Sequence, residues 1–196
     1  MLVSPTQLGY YVVAVSLAEI SMMAVNALRA IVFTESVHAG GAELVARGAR
    51  VILVLVTGVA VVGSLVAGPF IHLMFGADFA PSVDLARVLL VASIPFCVDQ
   101  IVTAGIYAEG RPGLRSIGQL IGAAVAVGGL LLLAPLMGAM GAAVASLAAY
   151  TVTCTITLLQ YRHLTGMPVR RMLALERDDV VAMRAVGAKV VAKVRR

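Results

Sequence analysis

The residues most able to do chemistry stand where the sequence offers them little company. Asp99 lies in the stretch VASIPFCVDQIVTAG, beside Gln100 and four residues after Pro95. Glu19, Asn26 and Arg29 share a second apolar stretch, LGYYVVAVSLAEISMMAVNALRAIVF. In that stretch Ser16, Glu19, Met23, Asn26 and Arg29 or Ala30 recur at three- and four-residue steps, which gathers them near one helix face. In the other, Phe96, Asp99 or Gln100, Thr103 and Tyr107 form a second polar stripe. A carboxylate so placed has three chemical uses. It can pair with a cation or hydrogen-bond a neighbouring helix; it can bind a proton or cation that drives a cycle; or it can touch a substrate. Arg29 suits phosphate oxygens, which a guanidinium meets two at a time. It equally suits an anchoring role, its long stem reaching toward lipid headgroups.

Other chemistries find few residues. Cys97 and Cys154 stand in apolar runs without disulfide or metal spacing, and read as small buried residues. His72 has no Asp, Glu or Cys at metal-ligand spacing beside it. No metal or cofactor is implied. Nucleic acid is not implied either, since the basic residues have no aromatic interleaving.

The elements that must position these groups follow from composition. Hydrophobic residues make up 61% of the 196, charged residues 13%, and mean hydropathy is +1.00. A soluble domain has about 45–50% apolar and about 25% charged residues. No formal charge occurs from Ser116 to Tyr161, a run long enough for two spans of about 20 residues each. The chain therefore reads as an all-α integral membrane protein with five transmembrane helices over residues 9–33, 51–75, 85–108, 114–134 and 138–161. Gly40-Gly41, Gly76, Pro81, Gly110 with Pro112-Gly113, and Pro135 with Gly138 punctuate them. Residues 1–164 form the bundle and 165–196 a basic tail.

Charge sets the expected orientation. With the N-terminus outside, all of the 15 Lys and Arg residues except Arg87 fall on the inner side. This gives an N-out, C-in chain, its C-terminus cytoplasmic. The start, MLVSPTQLGYY, lacks the basic region and cleavage site of a signal peptide. Five spans beginning outside suggest that further helices precede them.

Four motifs carry a family resemblance: Gly9-Tyr10-Tyr11-x-x-Ala14 opening the first helix; Gly68-Pro69 followed by Phe75-Gly76-x-x-Phe79; Gly110-Arg111-Pro112; and Pro135-x-x-Gly138-x-x-Gly141-Ala142-Ala143-x-Ala145. In this order the chain resembles the polysaccharide and oligosaccharide flippases of the multidrug/oligosaccharidyl-lipid/polysaccharide exporter superfamily. The resemblance covers roughly residues 1–166 and corresponds to the last five helices of the second lobe in a twelve-helix, two-lobed protein. Phe33-Thr34 departs from it, since the family often has Pro after Phe there. It implies no enzyme, but translocation of a polyprenyl-diphosphate-linked glycan by alternating access, with an N-terminal lobe as partner. It also makes substrate contact by an acid less apt, because the lipid diphosphate is anionic. The alternatives are a cation-coupled multidrug exporter of the same superfamily, a membrane enzyme of glycan assembly and a non-transporting helix-bundle fragment. The enzyme is the poorest fit, as the outer face offers only His72, Asp78, Asp84 and Arg87.

At ~1.5 Å per residue, Glu19 lies ~15 Å, Asp99 ~21 Å and Arg29 ~30 Å below the outer ends of their helices. Arg29 can approach Asp99 if the first and third helices are neighbours. Small-residue stripes at Gly118, Gly122 and Ala126 and at Gly138, Ala142, Ala145 and Ala149 suit a tight antiparallel pair. Pro95 is expected to kink the third helix. Tyr10, Tyr11 and Tyr161 read as interface anchors. In the tail, Val180, Met183, Val186, Val190 and Val194 make an apolar stripe flanked by Arg and Lys. This is a candidate amphipathic helix on anionic lipid, or else a solvated tail.

Overall fold

Prolines and glycines divide the apolar sequence into helices. The computed structural model describes residues 4–39 and 41–174. Six α-helices follow in order: α1 Pro5–Ala39, α2 Ala42–Phe75, α3 Pro81–Ala108, α4 Pro112–Met137, α5 Ala139–Thr165 and the short α6 Val169–Leu173. A 3-10 turn, Ala77–Phe79, joins α2 to α3. Pro81 and Pro112 open their helices, where a missing N–H costs nothing. Gly76, Gly138 and Gly166 end theirs with positive φ, which a Cβ would strain. No strand occurs among the described residues.

Four of these helices, α2 to α5, are long and apolar enough to cross a membrane. The chain is thus an all-helical protein with the composition of a multi-pass membrane protein. Each observed helix outruns the stretch that hydropathy marks for it. The residues before Val51, for example, belong to α2 from Ala42 onward, so Glu43, Arg47 and Arg50 are helical rather than in a loop. Helix formation needs only backbone bonds, whereas hydropathy reports the part that suits lipid.

The bundle is organised around α3, the most buried of the four, which packs along α1, α2 and α5. α4 is the least buried and leans almost entirely on α5. Two apolar clusters stack along α3. In one, Val13, Ala14 and Ala18 of α1 meet Leu85, Ala86 and Leu89. In the other, Val25 meets Val98, Ile101 and Val102, together with Val45, Ile52, Cys97 and Cys154. The order of these contacts shows that α1 and α3 run in the same direction. The described arginines apart from Arg87 gather toward the end that holds the α3–α4 turn and α6. Pro95 lies inside α3, which assigns as one helix across it.

Tyr161 departs from the sequence reading. It is 1% exposed and packs where Gly105 of α3 leaves room for its ring, so it is a core residue and not an interface anchor. Tyr10 packs edge-on against Phe79 with ring centroids 5.6 Å apart. The Tyr11 hydroxyl lies 3.5 Å from Ser146 Oγ. The candidate amphipathic segment over 180–194 lies outside the described residues.

The α4–α5 hairpin turns on Gly138 alone, and backbone contact holds it closed. Gly141 faces the Leu133 carbonyl, and Gly122 faces the Thr153 hydroxyl. A side chain at either glycine would separate the helices. Gly141→Val is expected to cost about 1–3 kcal/mol, measurable as a fall in the thermal midpoint in detergent. Gly128→Val, where a Cβ meets nothing within 4 Å, is expected to leave that midpoint unchanged.

Candidate functional site: a buried charge cluster beside a polar cavity

Asp99 is 3% exposed, at a point where α3 meets both α4 and α5. Its partner is Arg115 from the first turns of α4, which meets both carboxylate oxygens: Nη1 donates to Oδ1 at 2.9 Å, and Nη2 lies 2.8 Å from Oδ2. Thr157 of α5 completes the group. Its hydroxyl donates to Asp99 Oδ1 at 2.7 Å and accepts from Arg115 Nη1 at 3.2 Å. Two-point guanidinium–carboxylate contact is among the stronger polar interactions, and here it joins three helices. A cation near a helix N-terminus opposes the helix dipole; the Asp99 carboxylate offsets that cost.

Local sequence explains the meeting. Pro112 starts α4 immediately after the α3–α4 turn, so Arg115 already projects from a helix. Asp99 lies nine residues before the end of α3 at Ala108, ~13 Å along the axis. The long arginine stem reaches back across that depth. Arg115 reads from sequence as one more inner-loop charge, yet it is 9% exposed. The available signal was a short turn bringing a helical arginine back over a buried acid. Thr157 left no comparable mark among the threonines of α5.

Arg29 and Asp99 do sit on neighbouring helices, but Arg29 does not take Asp99. Its Nη1 donates to Gln100 Oε1 at 2.9 Å, one residue along. Arg29, Gln100, Thr103, Tyr107, Arg115 and Gln119 wall a cavity of about 510 Å³ in an otherwise apolar bundle. Thr103 is 2% exposed and its hydroxyl has no hydrogen-bond partner. Asn26, Arg29, Phe33 and Tyr107 line a second cavity, of about 300 Å³, on the adjoining face. Arg29 and Tyr107 border both. Glu19 stands apart: it is exposed on α1 and shares no cavity with the other candidates.

Arg115 is neutralised by Asp99, so Arg29, whose hydrogen bond goes to the neutral Gln100, is the group that makes the larger cavity suitable for an anion. Asp99 faces the opposite situation. Both its oxygens are engaged, so the paired arrangement is the one its geometry favours among the three uses of a buried acid.

A second buried arginine escaped the sequence reading. Arg50 is 2% exposed; it donates to the Arg171 carbonyl at 2.7 Å and to Glu43 Oε1 at 3.1 Å. Glu43 also lies 3.7 Å from Arg171 Nη2. With Met172 fully buried, these contacts hold α6 against α2. The seven-residue step from Glu43 to Arg50, two turns on one helix face, was the legible signal.

If Asp99 and Arg115 are mutual counter-charges, removing one strands the other. Arg115→Met is expected to destabilise the bundle by about 3–5 kcal/mol. Asp99→Leu combined with Arg115→Met is expected to cost less than Arg115→Met alone, in denaturant titrations of purified protein. These geometric findings stand on the chain itself: no protein-family model, curated protein or solved structure matches it.

Proposed function

We propose that the chain is the C-terminal lobe of a polysaccharide flippase, moving a polyprenyl-diphosphate-linked glycan across the bacterial inner membrane. In this reading α1 is a fifth span, the N-terminus is outside and the C-terminus cytoplasmic. The cavity walled by Arg29, Gln100, Thr103, Tyr107, Arg115 and Gln119 is the observation that carries the proposal. A lipid-linked glycan has an apolar tail, an anionic diphosphate and a polar sugar chain. Transport requires a polar surface that shields the last two from lipid while the tail remains in it. Arg29 is the diphosphate contact in this scheme, because its guanidinium is half-buried and bordered by both cavities. Arg115, neutralised by Asp99, forms part of the polar wall.

The charge distribution supports the same orientation, since positive residues favour the cytoplasmic side of short loops. Neither cavity is enclosed, as expected for half of a passage whose other wall comes from an N-terminal lobe. No covalent step is required. The lobe supplies a path and a binding site for alternating access.

The test is complementation. In cells lacking their own flippase, this chain expressed with an N-terminal lobe is expected to restore surface glycan, while the chain alone does not. Arg29→Ala is expected to lower transport about 10–100-fold at equal protein level, the loss of one charge-assisted hydrogen bond. Dye efflux without glycan display would replace this reading with the multidrug exporter.

A further inference from the structure

The α1 helix carries a carboxylate that the rest of the bundle leaves unanswered. Glu19 is exposed, and among the described residues no hydrogen bond or ion pair reaches it. Its depth can be read from packing. Ala18, the preceding residue, packs with Leu85, Ala86 and Leu89 of α3, and Val25 packs with Val98 and Ile101. Glu19 is therefore level with the stretch of α3 between Leu89 and Val98. That stretch is the middle of a helix long and apolar enough to cross a membrane. A charge at that depth facing acyl chains is costly, and such residues face protein or water instead.

The residues around Glu19 have the spacing of a helix-pairing seam. Val12, Ser16, Glu19, Asn26, Ala30 and Phe33 are all exposed. Their steps of four, three, seven, four and three residues are a heptad pattern, which keeps one stripe facing a partner helix. Arg29, the cation nearest along α1, is bonded to Gln100. We infer that this seam docks a membrane-spanning helix of a second polypeptide carrying Lys or Arg at the depth of Glu19.

Charge decides among the possible occupants. A second copy of the chain, related by a two-fold axis along the membrane normal, would set Glu19 against Glu19. Like charges in a low-dielectric seam repel, so self-pairing is disfavoured. Lipid headgroups lie too far from mid-membrane to neutralise the carboxylate. A basic residue on a partner helix both neutralises it and fixes the register of the two helices, as a polar residue in an apolar seam does. Asn26, Ala30 and Phe33 of the seam also line the smaller cavity, so a helix docked along it covers that cavity and leaves the larger one, walled by Gln100 and Arg115, for the proposed transport.

The test reads association rather than transport. The purified chain, fluorescently labelled, is reconstituted in lipid vesicles with synthetic poly-leucine helices bearing a single Lys, Leu or Glu at the centre. Energy transfer to the Lys helix is expected to report binding about tenfold tighter than to the Leu or Glu helix. Glu19→Leu is expected to abolish that preference and Glu19→Gln to reduce it, with helicity unchanged because the side chain is exposed. Equal binding of the three helices by the wild-type chain would overturn the inference. So would a Lys preference that survives Glu19→Leu, or self-association of the chain that Glu19→Leu abolishes.

Discussion

An ionised side chain inside an apolar bundle must find an opposite charge, and the arrangement of α3, α4 and α5 follows from how Asp99 finds one. The Arg115 guanidinium closes on both oxygens of Asp99, and Thr157 fills the remaining position on Oδ1. Apolar packing between membrane helices gains little from the hydrophobic effect, because lipid is as apolar as the helix surface. Direction and register must come from close backbone approach and from polar contacts. This chain uses both: glycine-to-backbone contact between α4 and α5, and one charged junction where α3 meets them.

The same constraint gives the polar cavity its character. Arg115 is held at the cavity wall by Asp99, and Arg29 by Gln100. Neither guanidinium needs a ligand to be stable there. In the proposed reading Arg29 is the fixed positive group beside this volume, and its position does not have to be rearranged on binding an anion. Asp99 thus shapes the cavity through the residue it orients, and the proposed glycan carrier would meet Arg29 rather than the carboxylate.

Helix positions and the α4–α5 contact were legible in the sequence because both depend on local patterns, apolar runs between breakers and glycines at four-residue spacing. Gly118 and Gly122 do lie against α5. Partner choice was less legible. Asp99 and Glu19 look alike in sequence, each one acid in an apolar run, yet one is enclosed by three helices and the other is exposed. The difference lies in which helices are neighbours, a tertiary fact without a short-range signal. Arg115, Arg50 and Tyr161 were misjudged for a related reason. Residues at the ends of hydropathy segments look like loop or interface residues, but the helices continue past those ends and carry them into the core.

The most direct measurement is the distance between the Arg115 guanidinium nitrogens and the Asp99 carboxyl carbon in a lipid bilayer. Solid-state NMR on protein labelled with nitrogen-15 arginine and carbon-13 aspartate can obtain it. The paired arrangement requires a strong dipolar coupling, corresponding to a separation within about 4 Å. Arg115→Lys should alter that coupling and Arg29→Lys should preserve it. Absence of coupling to Arg115, or coupling that Arg29→Lys removes, would contradict the account.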